Sequence, residues 1–529
     1  MNRIERFERR DWLTAALVFG VSLAMRGPLR SQFSFYWDGA QFALAVEHYD
    51  LASSLPHPPG YFLYVMLGRL VNGLSDDPHA TLVWLSVVFG SALPAVLYLL
   101  GAAMFSRVVG LMAATIGATS LLTWFYSLIA YTYVVDGFYV TVFALWCWRA
   151  RQRGVAWLDV LVLSALYALI LGTRQQSGVT LVPLFLYTLW GARERRSHKI
   201  AGALLLSGVL VLLWLIPLTA SAGGLRQYLA IAQTHVTANS DRPSRSGLVG
   251  GLLANGLAIS RFVTAGLLLG MPVFVLAYLL RLKELAAVLT GRRASPCFWF
   301  YVVWLAPAVV FWLLMFTDLP GHVLSYFCGL AVLTAAGIVI VAKAVTARVH
   351  QCTEHKAAFL ITVAVVVVNV WAFFVRPAVV ESLLAFQPLT NRAVRDNDRR
   401  WVRTIQVVRE RFATEDVMIC HAYEFFVWGF RQFQYHLPQH ANLLLSPDPS
   451  LPAPNGSRLW LGLERQTRFV SAPAFDSYRT LLLVVPTGFD LSLFSRYFDT
   501  QEAQRVVGLD GTMYAVPVAA ALRHPTGQP

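Results

Sequence analysis

Charge is scarce in this chain. Only 14% of its 529 residues are Asp, Glu, Lys or Arg, against about 25% in a soluble globular domain. With 57% hydrophobic residues, that shortage excludes a soluble enzyme and a disordered scaffold. Cysteine is also sparse. The five, at 147, 297, 328, 352 and 420, include no CxxC pair, so neither a disulfide framework nor a zinc ribbon follows. No GxxxxGK[ST] and no GxGxxG occurs, which removes the usual cradles for a soluble nucleotide. Carboxylates are nearly missing from the long apolar runs, where an ion-coupled transporter would carry them near midplane. No internal repeat or low-complexity tract is evident.

What the chain has instead is long apolar runs. A spanning helix takes about 20 mostly apolar residues. Windows of that size predict eleven spans, near 11–29, 80–105, 109–127, 133–149, 157–172, 177–190, 200–220, 258–280, 298–316, 323–342 and 357–375. The first follows Arg3, Arg6, Arg9 and Arg10, but Arg26-Gly-Pro-Leu offers no small-residue cleavage site, so it reads as a span and not a leader. The net charge of +14 then marks loops, not nucleic acid. With the N-terminus cytoplasmic, the N-terminus and the loops between spans put 19 Lys and Arg on the cytoplasmic side and 7 opposite. That bias sets the orientation, and eleven spans leave the C-terminal region outside.

Three outer segments, 30–79, 221–257 and 376–529, are too long for simple turns, and long loops carry function. The last becomes polar and rich in Arg. Trp401, Ile405, Val408 and Phe412 follow an amphipathic helical spacing. Val417–Cys420, Leu459–Leu463, Leu481–Val485 and Met513–Val518 read as strands, with turns or loops at Leu437-Pro-Gln and Pro447–Pro454. The expected fold class is therefore an all-α polytopic membrane bundle over 1–375 with a small α/β domain over 376–529.

The chemistry-bearing residues gather at the outer surface. In Phe35-Tyr-Trp-Asp38-Gly-Ala-Gln41, a helix starting near Asp38 would bring Asp38, Gln41 and His48 to one face, with Glu47 opposite. The plainer reading of Asp38 is a helix N-cap. Asp136, in Tyr131-Thr-Tyr133-Val-Val-Asp136-Gly, opens the fourth span, and again a cap competes with a site. Two carboxylates on one surface suit acid–base work or a divalent metal ion. His57-Pro58-Pro59-Gly60 precedes an apolar run whose first helical turn the prolines would preset. Arg174, in Gly172-Thr-Arg174-Gln-Gln-Ser177-Gly178, stands alone on an outer turn, as a phosphate ligand or a residue snorkelling among headgroups. In loop 221–257, Arg242 and Arg245 offer phosphate contacts or a solvated surface.

Together these features resemble the GT-C glycosyltransferases, the membrane enzymes that use polyprenyl-phosphate sugars, among them protein O-mannosyltransferases and aminoarabinose transferases. The resemblance covers roughly residues 10–375. It rests on Asp38 in the first outer loop, HPPG at 57–60, YVVD at 133–136 and TRQQSG at 173–178, with GHVLSY at 321–326 a weaker likeness. HPPG is the most specific of these. This chain has Gly39 after Asp38 where many members have Glu, and Arg174 where Lys is common. The resemblance implies transfer of a sugar from a polyprenyl phosphate to an acceptor on the non-cytoplasmic side. It implies Asp38 as base, Asp136 as acceptor-orienting group or metal ligand, and His57 and Arg174, with Arg242 and Arg245, at the donor phosphate. The implied setting is a multi-pass protein of a bacterial inner membrane with a periplasmic C-terminal domain. The competing readings are a lipid-linked glycan flippase, which would need repeat symmetry and polar mid-span residues, and a scaffold, which would not need Asp38.

Overall fold

The structure is a computed structural model. It describes residues 6–51, 55–233, 247–292, 295–315, 317–348, 353–375, 382, 389–422, 429–445, 460–463, 466–469, 475, 477–485, 489–495, 497–506 and 513–522. Arg242 and Arg245 lie outside them, as do His235 and the expected loop at Pro447–Pro454.

Every expected span is helical. The helices are α1 (Arg9–Arg26), α4 (Pro78–Met104), α5 (Arg107–Thr119), α6 (Leu121–Tyr126), α7 (Tyr133–Arg153), α8 (Trp157–Thr173), α9 (Gln175–Trp190) and α10 (Arg196–Ser221). They continue with α11 (Gly247–Leu267), α12 (Gly270–Leu279), the short α13 (Leu282–Leu289), α14 (Pro296–Leu314), α15 (Leu324–Thr346) and α16 (Glu354–Val375). By length and apolarity alone, six helices among the described residues can cross a bilayer, or seven if a bent pair counts as one span. That bent pair corrects an expectation. The run 258–280 is no single rod: a helix starts already at Gly247, and the chain turns by 106° between α11 and α12. The break falls at Leu268, whose φ of 44° is left-handed and cannot continue a helix. The 109–127 run is likewise divided, at Ser120 between α5 and α6.

The bundle is built around α4 and α15, which are buried along most of their length. Small residues make this possible. A Cβ on Gly101 of α4 would lie 2.7 Å from Cα of Gly110 on α5, so the two backbones meet where neither has a side chain. Polar ties pin α1 to the bundle at both ends. Asp11 takes a two-pronged bond from Arg107, at 2.6 and 2.9 Å, and the hydroxyl of Tyr98 at 3.0 Å. The buried Arg26 donates to the carbonyl of Ala118 at 2.8 Å. Asp159 is held by Arg153 and Trp146 at 2.6 and 3.0 Å, a structural use of an intramembrane carboxylate.

Between α1 and α4 the first long outer segment folds into α2 (Trp37–Glu47) and α3 (Phe62–Asn72). Beyond α16 comes α17 (Asn391–Arg411), then β1 (Val417–Ala422), α18 (Phe430–His436), β2 (Ala441–Leu445), β3 (Trp460–Leu463), β4 (Gln466–Phe469), β5 (Thr480–Val484), β6 (Gln504–Arg505), β7 (Met513–Pro517) and α19 (Val518–Ala521). The five-stranded sheet runs β2-β1-β5-β7-β6, parallel across β2, β1 and β5 and antiparallel at β7 and β6, while β3 and β4 form a separate antiparallel pair. Central β1 is buried on both faces, as a covered parallel strand should be. Alternate residues serve different layers. Val417 and Ile419 pack with Trp401 and Val408 of α17, whereas Met418 and Cys420 pack with Phe475 and Phe494. The four expected strands are present with ends shifted by up to two residues, and the amphipathic spacing from Trp401 falls in α17, which begins ten residues earlier at Asn391.

Candidate functional site

Asp38 lies in the first turn of α2, but it does not cap it. Tyr36 occupies the N-cap position, without a side-chain bond. The carboxylate instead accepts a hydrogen bond from the hydroxyl of Tyr131, in the turn before α7. Its other oxygen lies 3.6 Å from Nδ1 of His57. That nitrogen also lies 2.9 Å from Oε1 of Gln41, one turn along α2. Facing two oxygens, Nδ1 carries the proton, so Nε2 accepts from the hydroxyl of Tyr61 at 3.2 Å. The expected face of α2 is thus real for Asp38 and Gln41. His48 falls outside it, because α2 ends at Glu47 and His48 is the C-cap.

The HPPG turn holds His57 differently from the expected helix start. Its prolines stay in the loop, and α3 begins only at Phe62, after Tyr61 with a left-handed φ of 43°. Gly60, at φ 105°, has no room for a side chain: a Cβ there would lie 2.7 Å from Leu218. The turn's carbonyls are tied down on several sides. Tyr49 donates to that of Gly60 at 2.8 Å, and Gln175 and Tyr228 donate to that of Pro59 at 3.3 and 3.5 Å.

Asp136 and Arg174 form the second half of the site. Asp136 sits in the first turn of α7 behind the N-cap Thr132 and is buried. One of its oxygens accepts from Ser177 at 2.6 Å; the other accepts no hydrogen bond among the described residues. Arg174 is buried too, so it does not snorkel among headgroups. It separates α8 from α9 with an extended backbone, which turns its side chain inward. There it donates to Thr132 at 3.1 Å and lies 4.2 Å over the ring of Tyr133.

The two halves are joined by aromatic rings. Tyr131 and Tyr133 stack with centroids 4.5 Å apart and planes 9° from parallel. A continuous contact path therefore runs from Asp38 through Tyr131 and Tyr133 to Arg174. At its far end His322, from the GHVLSY stretch, stacks on Trp312 at 4.2 Å and meets Tyr133 edge-on. Trp312 escapes sequence reasoning, because nothing local marks it; Ser177 and the tyrosines were visible only as letters of a motif. For a metal ion the donor set does not fit. Among the described residues no three His, Cys, Asp or Glu are grouped to hold one, and Asp38 and Asp136 have separate partners.

The architecture is thus a helical membrane bundle with two short helices in its first long loop and a terminal α/β unit. The crystal structure of ArnT from Cupriavidus metallidurans bound to undecaprenyl phosphate shares that architecture with this chain. The likeness covers 98% of each chain, with a TM-score of 0.56 and 14% identity. The apo form of the same protein matches over 96% of this chain and 97% of its own, with a TM-score of 0.55 and 14% identity. The apo oligosaccharyltransferase of Archaeoglobus fulgidus is similar over 82% of this chain and 64% of its own, with a TM-score of 0.48 and 12% identity. At such identities the likeness is one of fold. No protein-family model and no curated protein matches the chain by sequence.

Proposed function

We propose that this protein is an integral-membrane glycosyltransferase. It moves a sugar from a polyprenyl-phosphate donor to a hydroxyl or amine of a lipid, glycan or protein acceptor. The observation that carries the reading is the contact path from Asp38 to Arg174, which joins a base to a cation. ArnT, whose fold this chain shares, was crystallised with undecaprenyl phosphate, and that agrees with a lipid-borne donor. In this reading residues 1–375 form the catalytic membrane part, with eleven spans and a cytoplasmic N-terminus. Residues 376–529 form a domain on the non-cytoplasmic side, the periplasm in a bacterial inner membrane.

The chemistry follows from the residues. As the acceptor oxygen or nitrogen attacks the anomeric carbon, it sheds a proton, and Asp38 takes it. The bond from that carbon to the phosphate oxygen breaks in the same displacement, so configuration inverts. Negative charge grows on the departing polyprenyl phosphate. Arg174 stabilises it, since the bond to Thr132 leaves most of its guanidinium donors free for an oxyanion. His57, engaged by Gln41 and Tyr61, orients Asp38. Asp136 fixes Ser177 and balances the buried charge of Arg174. Arg242 and Arg245 remain phosphate ligands on sequence alone.

The test is incubation of the protein in membranes with a panel of radiolabelled polyprenyl-phosphate sugars. The expected outcome is a labelled acceptor together with free polyprenyl phosphate, for at least one donor. Intact lipid-linked sugar crossing liposomes with its phosphate–sugar bond unbroken would replace this reading with a transporter.

A further inference from the structure

The short strap between α1 and α2, residues 27–36, ends two positions before Asp38. Half of it, Pro28 and Ser31 to Ser34, is tied to the C-terminal unit. Arg395 of α17 donates to the carbonyl of Pro28 at 2.9 Å. The carboxylate of Asp398, buried between α17 and the strap, accepts from the hydroxyl of Ser31 at 2.9 Å. It also accepts from the amides of Gln32 and Phe33 at 3.1 and 3.2 Å. The ring of Phe33 meets that of His436 edge-on at 5.1 Å, and the amide of Ser34 lies 3.4 Å from Nε2 of His436. Next along, Trp37 stacks on Phe430 with centroids 6.0 Å apart, and the guanidinium of Arg431 lies 5.8 Å from the same indole.

These ties matter because the start of α2 has little support of its own. It has eleven residues and no side-chain cap, and helices this short are marginal without tertiary contacts. The orientation of its first turn therefore depends on packing, against Ala130 and Tyr131 on one side and through residues 31–37 on the other. An Asp with three donors around it is an unusual investment for a surface-domain contact, since a buried carboxylate must be satisfied by several bonds.

We propose that the C-terminal unit is a positioning element for the membrane site. Asp398 clamps the strap and Phe430 the first residue of α2, and together they set the angle at which Asp38 meets Tyr131 and His57. Asp398 and Phe430 are positioning residues and touch no substrate. The inference rests on the reading of Asp38 as the base.

The test uses the full chain in lipid with three variants: Asp398→Ala, Phe430→Leu and Asp38→Asn. Amide hydrogen exchange over residues 31–38 is followed alongside kcat and KM for the donor. Both clamp variants are expected to speed exchange at 31–38 about tenfold. They should lower kcat about tenfold with KM changed less than twofold, and leave exchange in β1 and β5 as in the wild type. Faster exchange at 31–38 with unchanged kcat would overturn the clamp. Should Asp398→Ala fail to fold, Phe430→Leu, which acts through Trp37, decides by the same readouts. Loss of transfer in Asp38→Asn with full kcat in both clamp variants defeats the clamp alone. Full transfer in Asp38→Asn defeats the reading of the base.

Discussion

The two carboxylates of the site differ in how far they are closed off. Asp38 keeps a quarter of its side chain exposed and shares its surroundings with a histidine that is 15% exposed. Asp136 is sealed, with Ser177 on one oxygen and Arg174 nearby against the same turn of α7. In the proposed reaction an acceptor would reach the first but not the second. The open carboxylate is suited to taking a proton from an arriving molecule. The sealed one is suited to holding a cation in place, because a charge removed from water is tolerated only when paired and hydrogen-bonded. The difference teaches that one motif-level description, an acid near the start of an outer helix, covers two separate jobs.

Substitutions should separate these jobs by what they damage. Asp136→Ala leaves the buried hydroxyl of Ser177 without its acceptor and opens a space at the start of α7, and we expect a loss of about 3 kcal/mol in stability, seen as earlier thermal unfolding in detergent. A variant that unfolds like the wild type would erase the contrast. Closure also separates the histidines. Burial pushes His436 and His421 down to about 3, whereas an unfolded chain takes up those protons near 6.5. Their contribution is therefore complete above about pH 6.5 and is lost as pH falls toward 3. At pH 5 the C-terminal unit should be weaker by about 2 kcal/mol for each histidine. Proteolysis of that unit at pH 5 and pH 7 measures this, and equal resistance would show that the two rings are not closed off. Ser177→Ala removes one bond to a sealed carboxylate and should cost about 1–2 kcal/mol. Tyr131→Phe, on the open side, should change stability by less than about 1 kcal/mol while slowing transfer several-fold. A larger stability loss for Tyr131→Phe than for Ser177→Ala would reverse the comparison.

Much of this architecture was legible from residues alone. Apolar runs located helices of the bundle, and helical spacing and short apolar runs in the C-terminal region located α17 and four strands. The misreadings have local causes. Residues 247–257, rich in glycine, read as loop yet begin α11, and the bend at Leu268 turns on a single backbone dihedral that apolarity does not encode. The HPPG prolines read as a helix start but form the turn before it. Arg174 read as an outward residue because its turn is short and polar. It is buried because Tyr133 of α7 and Trp312 of α14 close over it, and contacts so far apart in the chain leave no local trace. The strand β2 followed a turn that was recognised, but five residues with two small or polar members carry too weak a pattern.

The central claim is that Asp38 removes the acceptor proton. Its most direct test compares wild type with Asp38→Asn, at equal expression in membranes, for radiolabelled sugar transfer from the donor that the panel selects. The amide keeps the shape of the side chain but cannot act as the base, so transfer should fall about 10²-fold or more while thermal stability stays near that of the wild type. Equal transfer by both proteins would contradict the account and remove Asp38 from the centre of the site.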